Sequence, residues 1–322
     1  MIKNNKKNKI IKPKTLKKGD RVALIAPSSP VTDKKFEISI KSIEFLNLEP
    51  VIFPTCNMKH GYLSGTDSAR AKDVNDAFSD SSIDGIFCLR GGYGVTRILN
   101  MLDYKMIKNN PKLLLGYSDI TGLHLALNKL CNMATLHAPM PTGGWNTLDQ
   151  LSLQSLTDNI FTDTPIGNAP TPFGESIDII NHGKCEGIIT GGNLSLLTAT
   201  LGSPYEIDTK GKILFIEDVD EKHYRLDKGL TALALAGKFQ DCKGIILGTW
   251  SDCCDPDLKD EDNLTLTQIF NEVIAPFKKP TINNFRAGHI YPHISIPMGT
   301  KVRLDADNGI VTFLESVTQN LK

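Results

Sequence analysis

Residues 116–119, Gly-Tyr-Ser-Asp, form the stretch of this sequence whose residue types most directly indicate chemistry. An apolar run at 113–115 precedes them and an amphipathic run at 120–130 follows, an order that predicts a strand, a sharp turn and a helix. Hydrolases use this geometry to hold a nucleophilic serine beside the free N–H groups of a helix start, although the G-x-S-x-G motif is absent here. Two interpretations of Ser118 stay open, because a serine followed by aspartate before a helix is also a common N-cap.

A nucleophilic serine needs a base, and the sequence contains seven histidines. His289 is the first candidate, because it follows a glycine in a predicted loop, from which a side chain can enter a cleft. His137, near the end of the first half of the chain, is the second candidate. His124 lies six residues after Ser118 in the same predicted helix, so we expect it to face away from the serine.

A third group must orient the base, and Glu217 is the candidate for that role. Glu217 and Asp218 directly follow the apolar run at 213–216. Carboxylates at the carboxyl end of a buried strand lie where α/β proteins place their ligands. The ordinary alternative also stays open, since acids at strand ends are often caps or members of surface ion pairs.

The loop at 90–94, Arg-Gly-Gly-Tyr-Gly, lies between a predicted strand and a predicted helix. Its N–H groups could cradle a phosphate, but the loop lacks the third glycine of the dinucleotide fingerprint. The same N–H groups could instead form an oxyanion hole, because a glycine lets the backbone approach a reacting carbonyl closely. A tight turn without chemical function is the third interpretation.

Two patterns suggest a metal site, and neither predicts one. His289 and His293 are four residues apart, but Pro292 between them prevents a regular helix. Cys253 and Cys254 are adjacent, and adjacent cysteines rarely bind one tetrahedral ion together. We therefore predict no metal and no other cofactor, and the seven cysteines are expected to be reduced thiols.

The elements that must position these residues read as an α/β protein. In the first half, strands alternate with helices, which predicts a parallel sheet covered by helices on both faces. The predicted strands are 21–26, 50–53, 83–89 and 113–115, and the predicted helices are 34–46, 67–78, 95–101 and 120–130. A stretch at 162–173, rich in Pro, Thr, Gly and Asn, is the candidate linker to a second α/β domain. There the predicted strands are 179–180, 186–189, 213–216, 244–247 and 301–304, and the predicted helices are 194–201 and 226–235.

Charge is unevenly distributed along the chain. Eight lysines fall within the first 18 residues, and the rest carries 28 basic and 36 acidic residues. We interpret residues 1–18 as a basic, disordered tail, and the acidic remainder argues against nucleic-acid binding. No apolar run is long enough to span a membrane and the start lacks a signal-peptide core, so a cytoplasmic protein is expected.

Several residue groups, in this order along the chain, together resemble the serine LD-carboxypeptidases of bacteria, a family that includes the microcin C immunity peptidases. The matching groups are 19–20, 26–29, the loop 90–94, the turn 116–121, Gly191-Gly192-Asn193-Leu194, 217–221, 224–227, 288–289 and Pro297-x-Gly299. Each group alone is weakly specific, whereas their order over nearly the whole chain is highly specific.

The resemblance implies a triad in which Ser118 is the nucleophile, His289 the general base and Glu217 its orienter. It also implies an oxyanion hole made by the N–H groups of Gly92 and Asp119. One departure is visible: the family often has asparagine four residues after the catalytic histidine, where this chain has His293.

Further expectations concern groups around the triad. Arg90 is expected to pair with Asp119 and fix the glycine-rich loop. Gly91 and Tyr93 of that loop are candidates for substrate contact. The substrate's free carboxylate needs a cation, for which Arg225 and Arg97 are candidates, although each is more typical of a structural ion pair.

The implied fold is a flavodoxin-like parallel sheet in an N-terminal domain, 19–161, and a smaller C-terminal α/β domain of the swivelling β/α type, 174–322. The implied reaction releases terminal D-alanine from murein tetrapeptides in the cytoplasm, with no metal, in a homodimer. A microcin-type immunity peptidase is the first alternative, and it needs an aromatic side chain over the cleft, for which Trp145 is the candidate. A non-catalytic phosphate-binding protein is the second. An amidotransferase-like enzyme is disfavoured, because it would need cysteine in place of Ser118.

Overall fold

Two β-sheets with helices packed against them make up the computed structural model, which describes residues 10–255 and 262–320. The strands are β1 (Arg21–Ile25), β2 (Glu49–Ile52), β3 (Gly85–Cys88), β4 (Leu113–Gly116), β5 (Thr135–His137), β6 (Gly167–Asn168), β7 (Asp178–Asn181), β8 (Lys184–Asn193), β9 (Ile213–Val219), β10 (Gly244–Ser251), β11 (Thr281–Asn283), β12 (Ile296–Met298), β13 (Lys301–Asp305) and β14 (Ile310–Phe313). The two-sheet α/β architecture confirms the expected fold class.

Helices connect most of these strands. They are α1 (Asp33–Phe45), α2 (Asp67–Ser79), α3 (Tyr104–Asn109), α4 (Thr121–Ala126), α5 (Gln150–Phe161), α6 (Leu194–Ala199), α7 (His223–Leu235), α8 (Lys238–Asp241) and α9 (Leu266–Val273). Threonine side chains begin three of them: Thr32 caps α1, Thr66 caps α2, and Thr265 forms a capping box at α9. Each hydroxyl accepts a backbone N–H that would otherwise lack a partner at a helix start.

The first sheet has the strand order β12-β5-β4-β3-β1-β2 in the described part of the chain. Strands β1 to β5 run parallel in the flavodoxin-like order β2-β1-β3-β4-β5, and β12 is antiparallel to β5. Strands β3 and β4 are buried along their whole length, as expected for a parallel sheet covered by helices. The order reverses between β1 and β3, and α/β proteins bind ligands beyond the carboxyl ends of strands at such a point.

The second sheet has the order β6-β14-β13-β8-β9-β10-β11-β7, again counted over the described residues. Strands β8 to β11 are parallel, and antiparallel strands flank them on both sides. This sheet has eight strands against six in the first. Its parallel centre includes β9, which carries Glu217, and β11, which precedes the loop that carries His289.

The expected domain boundaries need three corrections. Leu16 is buried and Ile11 forms a bridge with Met133, so residues 10–18 are not a disordered tail; residues 1–9 lie outside the described residues. The expected linker at 162–173 contains β6, which pairs with β14 of the second sheet. Strand β12 lies in the C-terminal half of the chain but completes the first sheet, because its residues pair with β5.

One predicted helix is wrong. Residues 95–101 form two short 3₁₀ turns, Val95–Arg97 and Leu99–Met101, instead of an α-helix. Gly94, with φ of 137°, is the residue directly before the first of these turns. None of the helices described is both long enough and apolar enough to cross a membrane.

Candidate active site

Ser118 lies in a strained turn at the carboxyl end of β4. Its φ is 65°, a left-handed conformation that costs a non-glycine residue about 1–3 kcal/mol. A short 3₁₀ turn, Ser118–Ile120, leads from β4 into α4, and the Ser118 hydroxyl caps neither of them. The interpretation of Ser118 as an N-cap is therefore not supported, and the turn has the strand–turn–helix form in which hydrolases expose a nucleophile.

His289 and Glu217 form a hydrogen-bonded pair on the second sheet. The distance from His289 Nδ1 to Glu217 Oε2 is 2.8 Å, so the imidazole donates its Nδ1 proton to the carboxylate and keeps Nε2 available. Glu217 is fully buried near the end of β9, and 18% of the His289 side chain is exposed. Burial raises the pKa of Glu217, and the hydrogen bond from His289 opposes that shift.

Glycines allow this pair to form. A Cβ on Gly288 would lie 2.9 Å from Glu217 Oε2, and a Cβ on Gly248 would lie 2.5 Å from the Ala287 carbonyl oxygen. The chain therefore approaches the buried carboxylate closely only because these positions carry no side chain. In the sequence, the glycine before His289 made this loop a candidate. The structure shows why a glycine is needed there: a side chain would clash with Glu217.

Ser118 and His289 line the same pocket, whose volume is about 170 Å³. The rest of its lining is Lys35, Arg90, Gly91, Gly92, Tyr117, Met140 and Thr142. The ring of Tyr117 packs against His289, with 4.8 Å between the ring centroids. The structure thus brings the β4 turn, the loop after β3 and the loop that carries His289 to one place.

The glycine-rich loop lies directly against the serine. A Cβ on Gly91 would be 2.8 Å from Ser118 Cβ and 2.9 Å from its Oγ, so only glycine fits there. Gly92 follows with φ of 113°. Among the described residues, no acceptor is hydrogen-bonded to the N–H of Gly92 or to that of Asp119. Both N–H groups remain available for an oxyanion beside Ser118, as the oxyanion-hole hypothesis requires.

The expected pairing of Arg90 with Asp119 is wrong. Asp119 Oδ2 accepts hydrogen bonds from the Ser28 hydroxyl at 2.6 Å and from the Val95 N–H at 2.9 Å. The Arg90 guanidinium instead donates to the Pro30 carbonyl at 3.3 Å. Burial raises the pKa of Asp119, and its hydrogen bonds oppose the shift. Asp119 therefore joins the loops after β1, β3 and β4, and no cation of residues 10–255 or 262–320 forms an ion pair with it.

Three other candidates for substrate contact lie outside the lining of this pocket. Tyr93 is half exposed and packs against Tyr62. Arg225 forms a surface ion pair with Glu221 at 3.4 Å. Arg97 forms a surface ion pair with Asp67 at 2.8 Å, which is the structural role that the sequence already offered for both arginines.

Sequence reasoning missed Lys35, which lines the pocket from the first turn of α1. The loop at 26–32 carries the chain from the end of β1 into α1, and the Thr32 hydroxyl accepts the Lys35 N–H at that helix start. The available signal was general: loops that follow parallel strands converge at the carboxyl edge of the sheet. Nothing in the residue spacing singles out this lysine among the chain's many lysines.

The other candidate histidines are buried away from the pocket lining. His137 lies on β5 with both ring nitrogens unpartnered among the described residues, and burial lowers its pKa well below the usual range. His293 is buried beside it, 5.5 Å between ring centroids, and burial lowers the pKa of His293 to about 3. His124 is buried, with its ring bonded to the Gly116 carbonyl and the Thr135 hydroxyl. His289 is the histidine that meets Ser118 at the pocket.

Two further sequence patterns acquire structural roles. Trp145 is fully buried, and its indole N–H donates to the Pro139 carbonyl at 3.0 Å, so it cannot stack on a ligand over the cleft. In the described part of the chain, no group of three His, Cys, Asp or Glu side chains could hold a metal ion. Trp250, the other tryptophan, packs against Phe270.

Comparison with known proteins gives a consistent picture. The LD-carboxypeptidase N-terminal domain matches residues 22–138, and the LD-carboxypeptidase C-terminal domain matches residues 186–304. A probable murein peptide carboxypeptidase of Bacillus subtilis (strain 168) is 38% identical over 298 residues, which are 91% of each chain. A murein tetrapeptide carboxypeptidase of Pseudomonas aeruginosa is 28% identical over 294 residues, covering 89% of this chain and 94% of that protein.

The fold has solved counterparts. The structure of MccF in complex with glutamyl sulfamoyl guanosine aligns with a TM-score of 0.85 at 23% identity, covering 96% of this chain and all of that one. At this identity the likeness concerns the fold, including its two sheets. The two matched domains and the identity to the Bacillus protein go further, and they show that this chain belongs to the LD-carboxypeptidase family.

Proposed function

We propose that this protein is a serine LD-carboxypeptidase that releases terminal D-alanine from murein tetrapeptides. The observation that carries the proposal is the meeting of Ser118, in its strained turn, with the His289–Glu217 pair at one small pocket. The names of the Bacillus and Pseudomonas relatives support the murein peptide as substrate. Trp145, the candidate for stacking on a peptidyl-nucleotide substrate, is fully buried and is not available for that role.

In the first half of the reaction, Ser118 Oγ attacks the carbonyl carbon of the penultimate residue, and His289 Nε2 takes the hydroxyl proton. Negative charge develops on the carbonyl oxygen, where the N–H groups of Gly92 and Asp119 stabilise it. Loss of one such donor typically costs about 3 kcal/mol of transition-state stabilisation. Glu217 holds the ring orientation through the 2.8 Å bond and stabilises the imidazolium that forms.

In the second half, His289 gives its proton to the nitrogen of D-alanine, the carbon–nitrogen bond breaks, and an ester on Ser118 remains. Water then attacks the ester with His289 as base, and the serine recovers its proton as the shortened peptide leaves. This sequence needs only the residues already described. The pocket is smaller than the roughly 300–1,000 Å³ of sites that enclose whole drug-sized ligands, which suits one terminal residue.

A direct contact holds the two halves of the triad in register. Strand β8 pairs with β9 so that Asn193 lies opposite Glu217. The Asn193 N–H donates to the Thr121 hydroxyl at 3.1 Å, and Thr121 begins the helix that follows Ser118. One hydrogen bond therefore links the segment that carries the nucleophile to the segment that carries the orienting carboxylate.

The proposal includes a biological setting. We infer recycling of cell-wall peptides in the cytoplasm by a homodimer, as the family resemblance implies. Size-exclusion chromatography with light scattering on the purified chain measures the oligomeric state directly.

The decisive experiment compares wild type with the Ser118→Ala variant on a murein tetrapeptide, with free D-alanine measured by mass spectrometry. We expect release by wild type and a kcat at least about 10⁴-fold lower for the variant, because the nucleophile is lost while the binding groups remain. Ser81→Ala, on an exposed turn, is the matched control and should retain wild-type activity. No release by wild type, or equal release by Ser118→Ala, would contradict the proposal.

A further inference from the structure

Two cations line the pocket that contains Ser118, and the triad chemistry uses neither of them. Arg90 directly precedes the glycines of the loop after β3, and Lys35 lies in the first turn of α1. A hydrolysis by a nucleophile, a base and an oxyanion hole does not require a fixed positive charge beside the leaving group. Their position therefore calls for a partner in the substrate.

Arg90 differs from other arginines of the fold in its contacts. Arg97 pairs with Asp67, Arg225 with Glu221 and Arg303 with Glu186. Within residues 10–255 and 262–320, the guanidinium of Arg90 has no acidic partner. Its side-chain hydrogen bond is the 3.3 Å contact to the carbonyl of Pro30.

An arginine that is only half exposed usually has an anionic partner, because removing a charge from water is costly. Its planar fork of five N–H donors matches the two oxygens of a carboxylate. With one donor used on a neutral carbonyl, Arg90 keeps enough donors for a bidentate contact. Lys35 is exposed and, among the described residues, its ammonium also makes no ion pair. The pocket therefore presents net positive charge beside Ser118.

The covalent geometry of the substrate places its own charge near these groups. In a peptide that loses one terminal residue, the C-terminal carboxylate lies a single residue beyond the attacked carbonyl, a span of about 3.6 Å along the chain. Arg90 is two residues before Gly92, whose N–H is the proposed oxyanion donor. Consecutive Cα atoms are about 3.8 Å apart, so the Arg90 side chain starts within reach of a group that close to the oxyanion.

We propose that Arg90, assisted by Lys35, binds the C-terminal carboxylate of the substrate and thereby restricts this enzyme to removal of a terminal residue. The inference rests on the proposed function, and it adds the side chains that bind the C-terminal carboxylate of the substrate. A peptide that continues past the scissile bond, or one that ends in an amide, offers no charge to these cations. The half-buried Arg90 supplies the directional contact. The exposed Lys35 supplies a weaker attraction that salt screens.

The test uses two substrates that differ only at the chain end: the tetrapeptide L-Ala-γ-D-Glu-L-Lys-D-Ala as free acid, and the same peptide as its C-terminal amide. Release of D-alanine or D-alaninamide is measured for wild type and for Arg90→Gln. We expect wild type to favour the acid in kcat/KM by about 10²-fold, the size typical of a well-formed buried charge contact. Arg90→Gln should lose about that factor on the acid, chiefly through KM, and leave the amide unchanged.

Two further variants measure how much each cation contributes to the preference for the acid. Arg90→Lys keeps the charge without the fork and should recover part of the preference for the acid. Lys35→Gln should reduce that preference only a few-fold, and less at high salt. Arg21→Gln, which removes an exposed arginine paired with Glu49 at the amino end of β1, is the matched control and should keep the full preference.

The outcomes separate the two proposals. If wild type releases no D-alanine from the acid, the proposed function fails, and this inference fails with it. If wild type is active but does not discriminate acid from amide, or if Arg90→Gln lowers both activities equally, the carboxylate role of Arg90 is wrong while the carboxypeptidase function stands. If Arg90→Gln does not fold, Arg90→Lys provides the test: a preference for the acid below that of wild type supports the inference, and an undiminished preference, or an equal loss on acid and amide, overturns it.

Discussion

The two sides of the active site are built by different physical means. On the first sheet, Ser118 is held by backbone geometry: a left-handed φ of 65° and a glycine packed so closely that a Cβ would touch the serine. On the second sheet, His289 is held by a side-chain hydrogen bond to Glu217, a carboxylate removed from solvent. The proposed nucleophile is positioned by steric fit, and the proposed base is positioned by electrostatics.

Because of this difference, the two sides of the site should be sensitive to different kinds of substitution. A change of charge without a change of shape should disable the base and leave the serine turn intact. A change of shape without a change of charge should displace one side against the other. The contact of Thr121 with Gly192 and Asn193 at the end of β8 is where such a displacement would be transmitted, since it joins the two sheets beside the proposed triad.

Glu217→Gln should have the largest effect on the base side. The amide nearly preserves the shape of the carboxylate but cannot stabilise the imidazolium, and it favours the wrong tautomer of His289. We expect kcat to fall by about 10³- to 10⁴-fold, the range known for such a change in a serine triad. D-alanine release under saturating tetrapeptide measures it.

Glu186→Gln is the control for that substitution, because Glu186 forms exposed ion pairs on β8 with Lys301 and Arg303. It should keep wild-type kcat. A Glu217→Gln enzyme with near wild-type kcat would show that His289 needs no buried carboxylate. The base side of the site would then not depend on electrostatics.

Gly192→Ala should have an intermediate effect, through shape alone. Its new Cβ would lie 2.5 Å from the Thr121 hydroxyl, so α4 and the attached serine turn must shift. Misplacement of a reacting group by about 1 Å can cost about 10²-fold in rate, and we expect a loss of that order in kcat. Steady-state kinetics on the tetrapeptide measures the loss.

Gly202→Ala controls for backbone strain. Gly202 also has a positive φ, 75°, but a Cβ there meets nothing within 4 Å. Both variants should lose stability, whereas only Gly192→Ala should lose kcat. Equal kcat values for the two variants would argue that contact between the sheets does not position the triad.

His293→Asn should have the smallest effect, on stability against pH. His293 is neutral in the folded state, with its pKa lowered by burial to about 3, whereas an unfolded histidine titrates near 6.5. Between these values the unfolded chain binds more protons, so the free energy of unfolding falls as pH decreases through that window. This one residue should account for a loss of about 2 kcal/mol between pH 7 and pH 5.

Denaturant unfolding at pH 7 and at pH 5 measures the effect. The His293→Asn variant should lose less free energy of unfolding on acidification than the wild type does. His182→Asn, at an exposed histidine, is the control and should keep the wild-type difference. Buried His124 and His137 leave a remaining acid sensitivity in every variant. An unchanged difference in His293→Asn would mean that its ring is protonated or solvated in the folded protein.

Residue patterns predicted the structure correctly where a local feature of the sequence, such as an apolar run or a helix cap, determines it. The apolar runs before Glu217 and Ser118 became buried strands, and the helices beginning near Asp33 and Asp67 start after the threonine caps that such sequences favour. The flavodoxin-like strand order was also expected, through the family resemblance. For each triad residue, spacing alone left alternatives, and the resemblance chose between them.

What the sequence did not predict depends on contacts between distant segments. Strands β5, β6 and β12 are two or three residues long, too short to leave a pattern, and their pairing partners lie far along the chain. The Arg90–Asp119 pair was expected from charge alone, but Ser28 and Val95 satisfy the carboxylate instead. Lys35 lines the pocket only because the turn after β1 places the first turn of α1 beside the pocket.

Strand β12 also has a consequence for synthesis. Strand β5 pairs with residues 296–298, so its outer edge is still unpaired when the first 161 residues have left the ribosome. Backbone groups on an unpaired edge strand invite pairing with another chain. The β5 edge of the first sheet therefore stays available for such pairing until residues 296–298 have been synthesised.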